Sequence, residues 1–182
     1  MQARGPLMIE HRLIERMLAV IQNSLEQVEI TRKIDPLFVD EVVDFIRTYA
    51  DRTHHGKEED ILFRDLKNKD LSDADRKIMD ELIEEHRYGR DITRALAEAN
   101  RLYRNGNPTA LADIAGCLRT LVEFYPKHIA KEDKIFFPAS RAYFSEEEDQ
   151  AMLAEFMDFD RHMIHDKYTS LVDELASPAG PG

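Results

Sequence analysis

Apolar residues recur at three- and four-residue steps over long stretches of the chain, the period of amphipathic helices rather than the alternation of strands. Leu7, Ile14, Leu18 and Leu25, for instance, fall on one stripe of the first stretch. The seven glycines and seven prolines do not punctuate short β-branched runs, so strands are not expected. Helix starts are marked instead. Asp35-Pro36 and Asn107-Pro108 each set a capping side chain before a proline suited to the first turn. Ser72-Asp-Ala-Asp75 and Ser145-Glu-Glu-Glu148 have the form of capping boxes, with carboxylates at the positive end of the helix dipole. The acidic run Glu146 to Asp149 therefore reads as a helix start and binds nothing. Asn105-Gly106 marks a stop, and Pro178 to Gly182 a tail expected to be flexible. These signals predict five helices, at about 5–32, 36–68, 73–104, 108–142 and 146–176. Long helices joined by short loops pack antiparallel. The expected fold is all-α: an antiparallel four-helix bundle with an additional C-terminal fifth helix, one domain over 1–176 followed by a tail at 177–182.

The chain also repeats itself. His54-His-Gly-Lys-Glu-Glu-Asp-Ile-Leu-Phe63 matches His128-Ile-Ala-Lys-Glu-Asp-Lys-Ile-Phe-Phe137 at an offset of 74 (128 − 54 and 132 − 58). Lys57/Lys131, Ile61/Ile135 and Phe63/Phe137 keep the same frame, and Glu10-His11-Arg12 recurs as Glu85-His86-Arg87 at an offset of 75 (86 − 11). The pattern describes two helical hairpins, each with one histidine on its first helix and His-x-x-x-Glu on its second. Residues four apart share a helix face, so His54/Glu58 and His128/Glu132 each point one way. His11 lies on the stripe of Leu7 and Ile14, His54 on that of Ala50 and Ile61, His86 on that of Met79 and Leu82, and His128 on that of Leu121, Phe124 and Ile135. Four imidazoles, one per helix, are thereby turned into the bundle with two carboxylates. A buried carboxylate is costly unless it is paired or binds metal. This donor set suits divalent iron, and its carboxylates suit bridging of two metals. Glu15 also follows a histidine by four residues, but it has no counterpart in the repeat and is not read as a ligand. Ferritin-type sites use Glu-x-x-His, and none of the seven histidines has a glutamate three residues before it.

Composition narrows the picture. With 25 Lys+Arg against 36 Asp+Glu the net charge is −11, which counts against a nucleic-acid partner. A 43% apolar content excludes wholesale disorder, and a single cysteine, Cys117, excludes an internal disulfide or a thiolate cluster. No apolar run approaches the ~20 residues of a membrane span, and the N-terminus lacks a signal peptide's apolar core. A soluble, cytoplasmic monomer is expected.

The spacing His11…His54-x-x-x-Glu58…His86…His128-x-x-x-Glu132 resembles the hemerythrin-like (HHE cation-binding) family, as do the phrases from His54 to Phe63 and from Tyr125-Pro-Lys-His to Phe137-Pro138. The resemblance implies a four-helix bundle around two iron ions joined by an oxo or hydroxo bridge. It implies His11, His54, His86 and His128 as terminal ligands and Glu58 and Glu132 as bridges. Dioxygen, or another small diatomic such as nitric oxide, is the implied ligand, for storage, delivery or sensing, with an unidentified redox or signalling partner. The alternative is an oxidoreductase handling peroxide or nitric oxide, or an iron donor in repair of iron–sulfur centres.

Some positions stay open. His55/Glu59 has ligand spacing too, but only His54/Glu58 keeps the frame of the repeat, which makes His55 and Glu59 neighbours of the ligands, placed to hydrogen-bond near them. Tyr125, three residues before His128, is either a donor facing the site or a core aromatic. Oxygen-carrying family members place a fifth histidine one turn from the third. Residue 90 here is Arg and residue 82 is Leu, which puts simple carriage in doubt. Among the remaining histidines His165, ahead of His162, is the candidate for that role, on the flank of the fifth helix's apolar stripe.

Overall fold

A computed structural model describes residues 2–176, with side chains as far as residue 163. Five long helices account for it. Helix α1 is Arg4–Thr31, α2 covers 36–66, α3 is Asp73–Arg104, α4 covers 110–140 and α5 is Glu146–Ala176. The predicted starts are the observed ones within two residues. Asp35 accepts from the Leu37 amide at 2.9 Å with Pro36 opening α2. Ser72 accepts from the Asp75 amide, and Ser145 and Glu148 exchange amide bonds as a reciprocal capping box. Asn107 caps Thr109, so α4 begins at Ala110. Gly106 turns the chain with φ 86°, a conformation open to glycine.

Helices α1 to α4 pack in a ring, α1 on α4, α4 on α3, α3 on α2 and α2 on α1. Two apolar clusters divide the interior. One gathers Ile14, Leu18, Val42, Ile46, Leu96 and Leu118; the other gathers Leu7, Ile61, Phe63, Leu82, Phe136 and Phe137. Helix α5 seats Met152, Leu153 and Phe156 on the second cluster. Along each of α1 to α4 the predicted histidine falls between residues of the two clusters, so a polar layer crosses the bundle between two dry ends.

Regular α-helix does not hold throughout. Ile46–His55, Glu58–Phe63 and Glu132–Phe136 are π-helical, with the wider turn that shifts the phase of following side chains. One expectation fails in the last of them. Ile135, placed by α-periodicity on the His128 stripe, is 51% exposed, while Phe136 and Phe137 turn inward in its place.

Candidate metal centre

The polar layer holds two groups of donors. His11, His54, Glu58 and Glu132 form one, and His55, His86 and His128 the other; within each group one donor atom per residue lies within 4.8 Å of every other. All seven residues are buried. The carboxylates join the groups. Glu58 turns Oε1 towards His54 Nε2 at 3.6 Å and Oε2 towards His86 Nε2 at 3.4 Å. Glu132 turns Oε2 towards His11 Nε2 at 3.1 Å and Oε1 towards His128 Nε2 at 3.3 Å. Each carboxylate therefore offers one oxygen to either side.

None of these facing atoms is satisfied within the protein. The Nε2 atoms of His11, His54, His86 and His128, both nitrogens of His55 and all four oxygens of Glu58 and Glu132 are buried without a hydrogen-bond partner. Orphaned buried polar atoms are rare, and so many gathered in one layer call for a cation. The residues fit a pair of divalent ions held by mixed imidazole and carboxylate donors.

Four of the imidazoles are held from behind by carboxylates. Asp133 lies 2.7 Å from His11 Nδ1, Glu10 2.9 Å from His54 Nδ1, Glu59 2.7 Å from His86 Nδ1 and Glu85 2.8 Å from His128 Nδ1. A carboxylate only accepts, so each Nδ1 carries the proton and each Nε2 keeps its lone pair for the centre. The wiring follows the repeat. Glu10 and Glu85, each just before the first histidine of a hairpin, hold the second histidine of the same hairpin. Glu59 and Asp133, each just after a bridging glutamate, hold the first histidine of the other hairpin. Cations back them in turn: Lys57 on Glu10, Lys131 on Glu85 at 2.6 Å, Arg90 on Glu59 at 2.8 Å and Arg12 on Asp133. Glu59 thus sits directly behind His86. Glu10, Glu85 and Asp133 were given no such part by sequence reasoning, although the repeated Glu-His-Arg was the signal for the first two.

Without a cation the carboxylates draw protons onto the imidazoles. Burial alone would lower His11, but the hydrogen bond to Asp133 and the facing Glu132 carboxylate outweigh it and raise its pKa to about 10. His86 is raised in the same way against burial, by Glu132, Glu58 and Glu59. Burial would raise Glu132, yet His128, His11 and His86 hold it well below the usual carboxylate range. His55 goes the other way: burial and then the neighbouring imidazoles push it well below 6.5, so it stays neutral.

The family's sequence model, hemerythrin HHE cation binding domain, matches residues 6–140, and that span contains all seven donors. The chain belongs to the hemerythrin HHE cation-binding family. Uncharacterized proteins of Mycobacterium bovis and Mycobacterium tuberculosis are also similar, each 24% identical over 172 residues, covering 93% of this chain. The chain spans 66% of the length of these curated relatives. No solved structure matches it. As a hemerythrin-like domain the protein binds metal cations, and its histidine and glutamate groups are where they fit.

Other expected residues fall as follows. His55 is buried inside the layer, its ring 3.9 Å from that of His86. Tyr125 is buried with its ring 6.3 Å from His55 and 6.4 Å from His128. A cavity of about 240 Å³, walled by Ile46, Arg47, Asp51, Gly89, Arg90 and Thr93, reaches both His55 and Tyr125. Arg90 spans its side, donating to Asp51 at 2.7 Å and to Glu59. His162 is 71% exposed beside Asp158, away from the layer. The side chain of His165 and residues 177–182 lie outside the described residues. Glu15 pairs with Arg12 on the surface. No described helix is long and apolar enough to cross a membrane.

Proposed function

We propose that the chain is a non-haem di-iron protein that binds dioxygen, or a comparable diatomic such as nitric oxide, for storage, delivery or sensing in the cytoplasm. The observation that carries the reading is the pair of glutamates, each with one oxygen turned to either imidazole group, which suits two ions sharing both carboxylates. When bound, a di-iron pair supplies redox chemistry towards small oxygen species.

The chain's own residues prepare the place. Four carboxylates hold the Nδ1 proton of their imidazoles, so Nε2 is the nitrogen that gives up its proton and binds when an ion enters. Phe137 stacks on His11 at 5.7 Å, Phe63 on His86 at 5.9 Å and Phe124 on His128 at 5.6 Å, which keeps bulk water from those rings. The cavity beside Arg90 is the way in for a small molecule, and it arrives next to Tyr125. Burial raises the Tyr125 phenol, so its Oη holds a proton at neutral pH. That proton on the cavity wall favours one second reading, an oxidoreductase that turns over peroxide or nitric oxide.

The test is metal per chain and the visible spectrum with and without oxygen. About two irons per chain and a reversible oxygen-dependent band are expected. Irreversible oxidation with peroxide turnover would favour the enzyme. Zinc alone, or unchanged metal content in His54→Ala and His128→Ala, would overturn the di-iron reading.

A further inference from the structure

Of the five imidazoles buried among the described residues, His55 is the one that the internal repeat does not account for. Its counterpart in the second hairpin (55 + 74 = 129) is Ile129, a core residue 3% exposed. A position that takes isoleucine in one half takes histidine in the other, and that histidine is 2% exposed with neither nitrogen hydrogen-bonded. Asp51 Oδ1 is 3.5 Å from Nδ1, too far for a hydrogen bond, and is engaged by Arg90 instead. As a packing residue His55 would leave two polar atoms dry, a cost that isoleucine avoids.

We propose that His55 is a fifth imidazole ligand, which joins His86 and His128 on the second metal position. The inference rests on the dinuclear reading above. Its geometry is that of a donor: a nitrogen of His55 lies within 4.8 Å of nitrogens of both His86 and His128. The His55 ring lies face to face with His86 at 3.9 Å and 9°, and edge-on to His128 at 5.6 Å. The other position already has two imidazoles and a share of each carboxylate. The second has the same, and His55 is its surplus donor. Residue 90, one turn beyond His86, does not compete, because Arg90 is drawn outward to Asp51 and Glu59.

Neighbours 54 and 55 both reach the interior. On a regular α-helix consecutive side chains diverge by about 100°. Here the π-helical stretch Ile46–His55 ends on the pair, and both rings are buried. The second hairpin has regular α-helix up to Lys131 and also turns both neighbours inward, His128 into the polar layer and Ile129 into the apolar core. The hairpins therefore differ in what they turn inward at this position, an imidazole in the first and an isoleucine in the second.

The experiment compares the full chain with its His55→Phe and His55→Ala variants. Phenylalanine keeps a ring against His86 and removes both nitrogens, so it serves even if the alanine variant unfolds. Ferrous ion is titrated anaerobically against a chelator, and Co(II) absorption reports the ligand field. Both variants should keep one position at full affinity and lose about a hundredfold or more at the other, beyond or at the top of the ~10–100-fold of an outer-shell partner. The Co(II) bands should change, and added imidazole should restore them in His55→Ala. Two ions at unchanged affinity with unchanged bands in His55→Phe would overturn the proposal and leave the dinuclear centre standing. Failure of the unsubstituted chain to bind ferrous ion would overturn both.

Discussion

Replacing Glu10 by glutamine tests the idea that buried carboxylates preset the imidazoles. Glu10 Oε2 accepts from His54 Nδ1 at 2.9 Å, and Oε1 accepts from Lys57, which is fully buried. Glutamine can satisfy only one of them. With its carbonyl on His54, its amide hydrogens confront the Lys57 ammonium. Turned over, its amide donates to His54 Nδ1, which moves the ring proton to Nε2 and removes the lone pair a metal needs. Losing an outer-shell partner costs ~10–100-fold in metal affinity, about 1.4–2.7 kcal/mol. Lys57 would keep only Asp160, 2.7 Å away and 42% exposed, so the metal-free fold should lose about 1–3 kcal/mol as well. Glu85→Gln is the internal control. Its cation, Lys131, is 24% exposed and also holds Glu81 at 3.2 Å, so it can turn away and leave the glutamine carbonyl on His128. That variant should lose less than about tenfold in affinity and less than about 1 kcal/mol of stability. Chelator competition and melting of the metal-free protein measure both quantities. Equal losses in the two variants, or none in Glu10→Gln, would refute the reasoning.

Further outcomes follow from other contacts. A Cβ on Gly56 would sit 2.7 Å from Phe159 Cζ, so Gly56→Ala should loosen α5 and cost ~1–3 kcal/mol of overpacking against a helix-propensity gain of about 1. In a Phe159→Ala background the same change should become stabilising, and a melt of the double variant checks the reversal. Phe137→Ala, which opens the wall against His11, should cost ~3–5 kcal/mol in denaturant unfolding. Asn100 is buried and donates to the Pro36 carbonyl at 2.9 Å and Asp40 at 2.7 Å; Asn100→Ala should cost ~1–3 kcal/mol by the same assay. His11, raised to about 10, is protonated at pH 8 in the metal-free chain and must lose that proton to bind. Metal loading in an unbuffered cell should therefore release protons at pH 8, and no release there would contradict the shift. By linkage, its contribution to metal-free stability is complete below about 6.5 and is lost as the pH rises through about 10.

Much of this protein is decided by local and periodic features that need no tertiary context. Caps at Asp35, Ser72 and Ser145 act within three residues, so the helix starts are readable directly. The 74-residue repeat carries the four histidines and two glutamates because four-residue spacing aligns side chains wherever the helix is packed. What the periodicity could not carry is rotation about each helix axis. Along the π-helical stretches, which carry no sequence signal, Ile135 lies outside and His55 lies inside beside His54. The partners of the imidazoles were hidden for a related reason. Glu59 reaching His86 and Asp133 reaching His11 are contacts between hairpins, set by how four helices face one another. Sequence placed the donors in the interior; only packing decided which oxygen faces which nitrogen, and so where a cation is wanted.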